Sequence, residues 1–168
     1  MACGVYEVLS MSGEVIPENL SRVFSRNYQR DPARGYGGGA HRLLQSVLDD
    51  RDWQRHSTSL FQGEGSFGNG GAMRSAPVGA FFAENLEEVV DQADRSAIVT
   101  HAHREGRAGA IAVALAAAQA LLCRGDPERF RASVYPLCAE RVLRGSPNAG
   151  LGRSRSAFRG QTSSCLTV

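Results

Sequence analysis

The sequence predicts an all-α fold, and three observations carry the prediction. Apolar residues recur at i, i+3 and i+4 in segment after segment, start and stop signals bracket those segments, and no stretch alternates polar and apolar residues as a half-buried strand does. With 168 residues the chain has material for one domain with a core and too little for two ordinary ones.

Taken in order, Val5, Val8 and Leu9 make a first short helix face, which Ser12-Gly13 ends. Pro17 sits where a helix can start, and Leu20, Val23, Phe24 and Tyr28 mark one face until Asp31-Pro32 stops the run. Leu43, Leu44, Val47 and Leu48 define a third helix. Asn85 with Glu88 three residues later resembles a capping box, followed by the stripe Leu86, Val89, Val90, Ala93 and Ala97. From Ala108 to Leu122 the chain is apolar on almost every side, which predicts a central core helix with neighbours all round. Asp126-Pro127 opens a last helix carrying Phe130, Val134 and Leu137. Two glycine-rich stretches, Gly35 to Gly39 and Gly63 to Gly71, fall between helices and read as loops feeding the helix that follows.

The bulk numbers exclude several function classes. A net charge of +2 does not make nucleic acid the default partner, and no direct nucleic-acid site is expected. No stretch approaches the roughly 20 unbroken apolar residues of a membrane helix, so no membrane partner is expected. Cys3, Cys123, Cys138 and Cys165 form no C-x-x-C pair, which argues against a zinc ribbon or a disulfide framework. Together with the lack of a secretory leader pattern, that predicts reduced thiols and a cytoplasmic protein. All nineteen basic residues are arginine. Five of them, Arg141, Arg144, Arg153, Arg155 and Arg159, fall with glycine and serine in an acid-free stretch from 141 to 168. The organisation expected is a helical domain over 1–140 and a disordered or non-homologous Arg/Gly/Ser tail over 141–168.

Gly63-Glu64-Gly65-Ser66-Phe67-Gly68 spells G-x-G-x-x-G. A dinucleotide-binding turn needs a buried strand before it, and the preceding Arg55 to Gln62 is a polar run without that pattern. A kinase loop would need H-R-D and D-F-G downstream, and neither follows. A plain linker and a phosphate cradle remain. Asn69-Gly70-Gly71 running into Ala72-Met73-Arg74-Ser75-Ala76 favours the cradle, because free amides at a helix start attract anions. Phe67, with no apolar neighbour close in sequence, is suited to stacking on a base. His101 alone reads as a structural or solvent-facing histidine, and His101 with His103 lacks the third ligand of a metal site.

The segments RDPARGYGGG (Arg30 to Gly39), GEGSFGNGGAMRSAPVG (Gly63 to Gly79) and THAHREG (Thr100 to Gly106), in this order, resemble the ADP-ribosylglycohydrolase family. The likeness is strongest to its poly(ADP-ribose)- and O-acetyl-ADP-ribose-degrading branch and spans about Met1 to Phe130. It implies an all-α, magnesium-dependent hydrolase that cleaves at the anomeric carbon of an ADP-ribosyl group, with ADP-ribose or an ADP-ribosylated substrate as partner. It also implies that Glu64, Gly65, Ser66, Phe67, Gly68, Asn69 and Gly70 wrap the ADP-ribose, with Phe67 on the adenine side. His101 matches a substrate-contacting histidine, and the loop with Gly35 and Gly37 lines the same pocket.

The two magnesium-binding motifs of that family, a Thr-Asp-Asp-Thr run and a Gly-Gly-Asp-Thr-Asp run, are not in this sequence. Hard cations need carboxylate oxygens; Asp49-Asp50 reads as a solvated surface pair, Asp91 and Asp94 lie on the polar side of the capped helix, and none of them replaces the missing motifs. The expectation is therefore an internal fragment that lacks the family's magnesium ligands and is impaired in hydrolysis, with a non-catalytic ADP-ribose or nucleotide-binding module as the alternative. Apolar surface left uncovered on the Ala108 to Leu122 helix predicts non-specific self-association.

Overall fold

The structure is a computed structural model that describes residues 1–145. Those residues form eight α-helices and one 3-10 turn, with no strand among them. The helices are α1 (Ala2–Ser12), α2 (Pro17–Arg30), α3 (Gly38–Asp50), α4 (Trp53–Ser59), α5 (Ala76–Phe81), α6 (Leu86–Ile98), α7 (Arg104–Leu122) and α8 (Pro127–Gly145), with the 3-10 turn η1 at Ala72–Arg74. All-α is thus the observed class.

Helix ends follow the local chemistry. Gly13 closes α1 in the left-handed region (φ 72°) while its N–H donates to the Leu9 carbonyl. Pro17 occupies the first turn of α2. Asn85 Oδ1 accepts from the Glu88 amide at 3.3 Å, which is half of a capping box. The reciprocal half is replaced, because the Glu88 carboxylate accepts from Gln92 Nε2 at 2.7 Å. Gln92 in turn accepts from the buried Val15 amide at 2.5 Å, pinning the α1–α2 turn to α6.

The core joins α1, α2 and α3 to α6 and α7 through Val5, Leu9, Leu20, Phe24, Leu44, Val89, Ile111 and Leu115, all essentially inaccessible. Each large member contributes about 1.5–3 kcal/mol by leaving water. Helix α7 packs against α5, α6, α8 and η1. Its small residues Ala110, Ala114 and Ala118 are buried, which lets those neighbours approach. Arg107 grips Asp94 with two hydrogen bonds of 2.6 and 2.5 Å, tying α7 to α6. Asp94, on the polar side of α6, is therefore half-buried and paired.

Two expectations need correction. Helix α7 is not covered all round: Ile111 and Leu115 pack in the core together with the buried alanines, while Val113, Leu121 and Leu122 stay exposed. It is also the one described helix long and apolar enough, by length and composition alone, to cross a membrane. Gly38 and Gly39 belong to the first turn of α3, not to a loop. The polar run before the glycine loop shows no strand, as expected, and its residues Arg55 to Ser59 lie in α4, capped by Asp52 Oδ1 accepting from the Arg55 amide at 3.0 Å. Helix α8 runs to Gly145, and residues 146–168 of the tail expected over 141–168 lie outside the described residues.

Candidate functional site

A cavity of about 510 Å3 opens where the start of α1, the α2–α3 loop, the segment after α4, the glycine loop and the α6–α7 junction meet. That volume is in the range of sites that hold a cofactor-sized molecule. Ser66, Gly68, Asn69 and Gly70 line it from the glycine loop, Gly35 and Gly37 from the α2–α3 loop, and His101 from the α6–α7 junction. Two loops distant in sequence are thereby brought to one pocket. Glu64, Gly65 and Phe67 are not among its lining residues.

The glycine loop is placed by close approach to α7. Phe61 and Gln62 lead into it in the left-handed region (φ 53° and 64°), and Gly65 follows at φ 77°. A Cβ on Gly65 would lie 2.7 Å from the His103 amide nitrogen, so only glycine lets the loop rest on the first turn of α7. Gly106 answers from the helix side, where a Cβ would meet the Ser66 carbonyl oxygen at 2.7 Å. The amides of Asn69 and Gly70, both lining residues, find no acceptor among the described residues, leaving two donors at this wall.

Phe67 does have apolar company, contrary to the sequence reading. Its ring centroid lies 5.8 Å from Phe61 and 5.5 Å from His103. Phe61 and not Phe67 contributes the aromatic lining, with Tyr36 across the α2–α3 loop. Both phenylalanines remain exposed, at 45% and 61%, so their outer faces are open to a ligand ring. His103 is a cap, its Nδ1 accepting from the Glu105 amide at 3.2 Å, and it does not join His101 as a metal pair.

The electrostatic centre is Arg74, which sequence reasoning placed in an ordinary helix start. Its side chain is fully buried, stacks over Phe24 at 4.8 Å, and forms no ion pair among the described residues. Instead it donates through Nη2 to the Ser96 carbonyl (2.7 Å) and Thr100 Oγ1 (2.8 Å), while Nε is left without a partner. Burial pushes the guanidinium down to about 9, which still leaves it charged at neutral pH. Thr100 Oγ1 lies 2.7 Å from His101 Nδ1. Burial first, and the Arg74 charge second, push His101 down to about 4.

That shift has a definite sign in stability. A histidine whose folded value is about 4, against an ordinary 6.5, binds fewer protons folded than unfolded between those values, so stability falls as pH drops through that window. The loss is up to about 1.4 kcal/mol per pH unit. Urea unfolding at about pH 7 and about pH 5 is expected to show it, and His101→Gln to remove that component. An equal acid sensitivity in the variant would assign the effect to other groups.

A magnesium pair fits this cavity poorly. No carboxylate lines it, and among the described residues no group of three or more His, Cys, Asp or Glu is placed to hold a metal. Asp50 is engaged with His56 at 2.8 Å, and Asp91 with Arg95 at 2.8 Å. The lining offers amides, hydroxyls, imidazole and a buried cation, a set that receives anions and polar oxygens.

The chain is similar to proteins of known family. The ADP-ribosylglycohydrolase family model matches residues 1–161, beyond Phe130 where the motif likeness stops. ADP-ribosylhydrolase ARH3 of Homo sapiens is 37% identical over 114 residues, covering 67% of this chain and 31% of that protein. The Mus musculus relative of the same name is also 37% identical over 114 residues, covering 67% of this chain and 30% of its own length. The Xenopus tropicalis relative is 32% identical over 132 residues, covering 77% and 37%. The chain thus spans about a third of the length of these curated relatives.

Proposed function

The chain belongs to the ADP-ribosylglycohydrolase family, and from that premise we propose that its cavity is the ADP-ribose-recognising part of an ADP-ribosylhydrolase site. The observation that carries the reading is the convergence of the glycine loop, the Gly35 to Gly37 loop and His101 on one 510 Å3 cavity with a buried cation in its wall. A diphosphate suits the free amides of Asn69 and Gly70 beside Arg74, since backbone N–H groups and a desolvated cation both favour negative charge. The adenine ring suits the exposed faces of Phe61 and Phe67 at the rim.

Hydrolysis at an anomeric carbon needs an acid and an activated water, and magnesium can supply the activation only where carboxylates hold it. No carboxylate lines this cavity, so we propose that the 168-residue chain binds ADP-ribose and hydrolyses little or none of its conjugates.

Titration calorimetry with ADP-ribose tests the reading. Binding is expected with purified chain in the absence of magnesium, weakened about tenfold by Phe61→Ala and by Phe67→Ala through loss of about 1–3 kcal/mol of stacking. Inorganic diphosphate alone is expected to bind more weakly. No heat with ADP-ribose from a folded sample would sink the proposal, and magnesium-dependent release of ADP-ribose from a conjugate would overturn the claim of impaired chemistry.

A further inference from the structure

The hydrogen bonds behind His101 determine where its proton sits. Arg74 can only donate, so Thr100 Oγ1 must accept from it at 2.8 Å. Thr100 is buried at 2% exposure, and its single hydroxyl proton has one acceptor within reach, His101 Nδ1 at 2.7 Å. Were Nδ1 protonated instead, two donors would converge on one oxygen and the Thr100 proton would be buried without an acceptor, an arrangement costing about 1–3 kcal/mol. A neutral imidazole whose Nδ1 accepts carries its proton on Nε2. That edge of the ring faces the glycine loop: a Cβ on Gly70 would lie 3.1 Å from Nε2 and one on Gly68 3.7 Å away. Nε2 has no hydrogen-bond partner among the described residues, and His101 lines the cavity.

We propose that Arg74 and Thr100 are positioning residues that hold His101 as its neutral Nε2–H tautomer, so that the cavity presents a fixed hydrogen-bond donor and engages ligands through an acceptor oxygen. The consequence is selectivity. A phosphate, ribose hydroxyl or carbonyl oxygen meets a donor that needs no proton rearrangement, whereas a metal cation, which needs the Nε2 lone pair, is refused. The identity of the ligand rests on the ADP-ribose reading above; the tautomer rests on the geometry alone.

Nitrogen-15 NMR of the four histidine rings in the ligand-free chain tests it, with the His101 signals identified by their loss in His101→Gln. His101 is expected to show an unprotonated, acceptor-type Nδ1 and a protonated Nε2 at neutral pH. Thr100→Val should shift the ring toward a mixture of tautomers, and Thr100→Ser, which keeps the hydroxyl, should restore the single form. A wild-type spectrum with the proton on Nδ1 would overturn the proposal without recourse to any variant, as would an unchanged tautomer in folded Thr100→Val. Because no ligand is present, failure of ADP-ribose binding would count against the functional reading and leave this result standing.

Discussion

Replacing Gly79 by alanine is expected to abolish cooperative folding of the chain. Gly79 lies in the short α5, fully inside the packing against α7, and a Cβ there would fall 1.9 Å from the Ala114 carbonyl oxygen and 2.8 Å from its carbonyl carbon. Both obstacles are backbone of a long helix, so no side-chain rotation relieves the clash and α5 must move away bodily. Moving it opens the face of α7 that carries Ala110, Ala114 and Ala118, residues too small to seal a widened gap. The cost should exceed about 3 kcal/mol, a large fraction of the total stability of a domain this size. Gly109, three residues upstream of Ala112 on the same α7, supplies the contrast. A Cβ there meets nothing closer than Ala72 Cβ at 3.9 Å, and Gly109→Ala should stabilise by about 0.5–1 kcal/mol through helix propensity alone. Thermal unfolding followed by circular dichroism separates the two, and a normal transition in Gly79→Ala would mean that α5 does not pack so closely on α7.

Sequence patterning made α1, α2, α3, α6, α7 and α8 legible because each carries an apolar face of three or more residues, most of them with a start or stop signal beside it. Helix α4 lacks both a stripe and length. Its buried members are Trp53 and Ser57, and the latter is fixed by donating to the Ile98 carbonyl at 2.6 Å, a contact across 41 residues that no local pattern announces. The candidate site divides in the same way. Its glycine loop and His101 stand in local motifs and can be read directly, although the reason for Gly65 lies in the His103 backbone it touches. Phe61 was missed because its place in the lining follows from left-handed backbone at two non-glycine residues, a strained conformation that sequence does not advertise. Arg74 was missed because an arginine at a helix start is a surface residue by default, and only the tertiary fold encloses it between Phe24 and the end of α6.

Arg74 supports the second large effect, and here the size of the substitute decides the outcome. Arg74→Ala removes a fully buried side chain, empties the space over Phe24, and leaves the Ser96 carbonyl and Thr100 hydroxyl without their donor. Cavity and orphaned acceptors together should cost about 3–5 kcal/mol. Arg74→Met keeps most of the apolar volume while deleting a cation that no carboxylate among the described residues neutralises. Taking an unpaired charge out of water is itself costly, so its removal offsets part of the lost hydrogen bonding, and the methionine variant should lie within about 2 kcal/mol of the parent. The two variants should therefore differ in urea midpoint yet agree in function, since neither can donate to Thr100 or place positive charge beside the cavity. Both are expected to weaken ADP-ribose binding at least about tenfold, the scale of a lost charge-assisted interaction. Equal destabilisation by alanine and methionine would show that the hydrogen bonds to Ser96 and Thr100, and not the balance of charge burial and volume, dominate the energetics of Arg74.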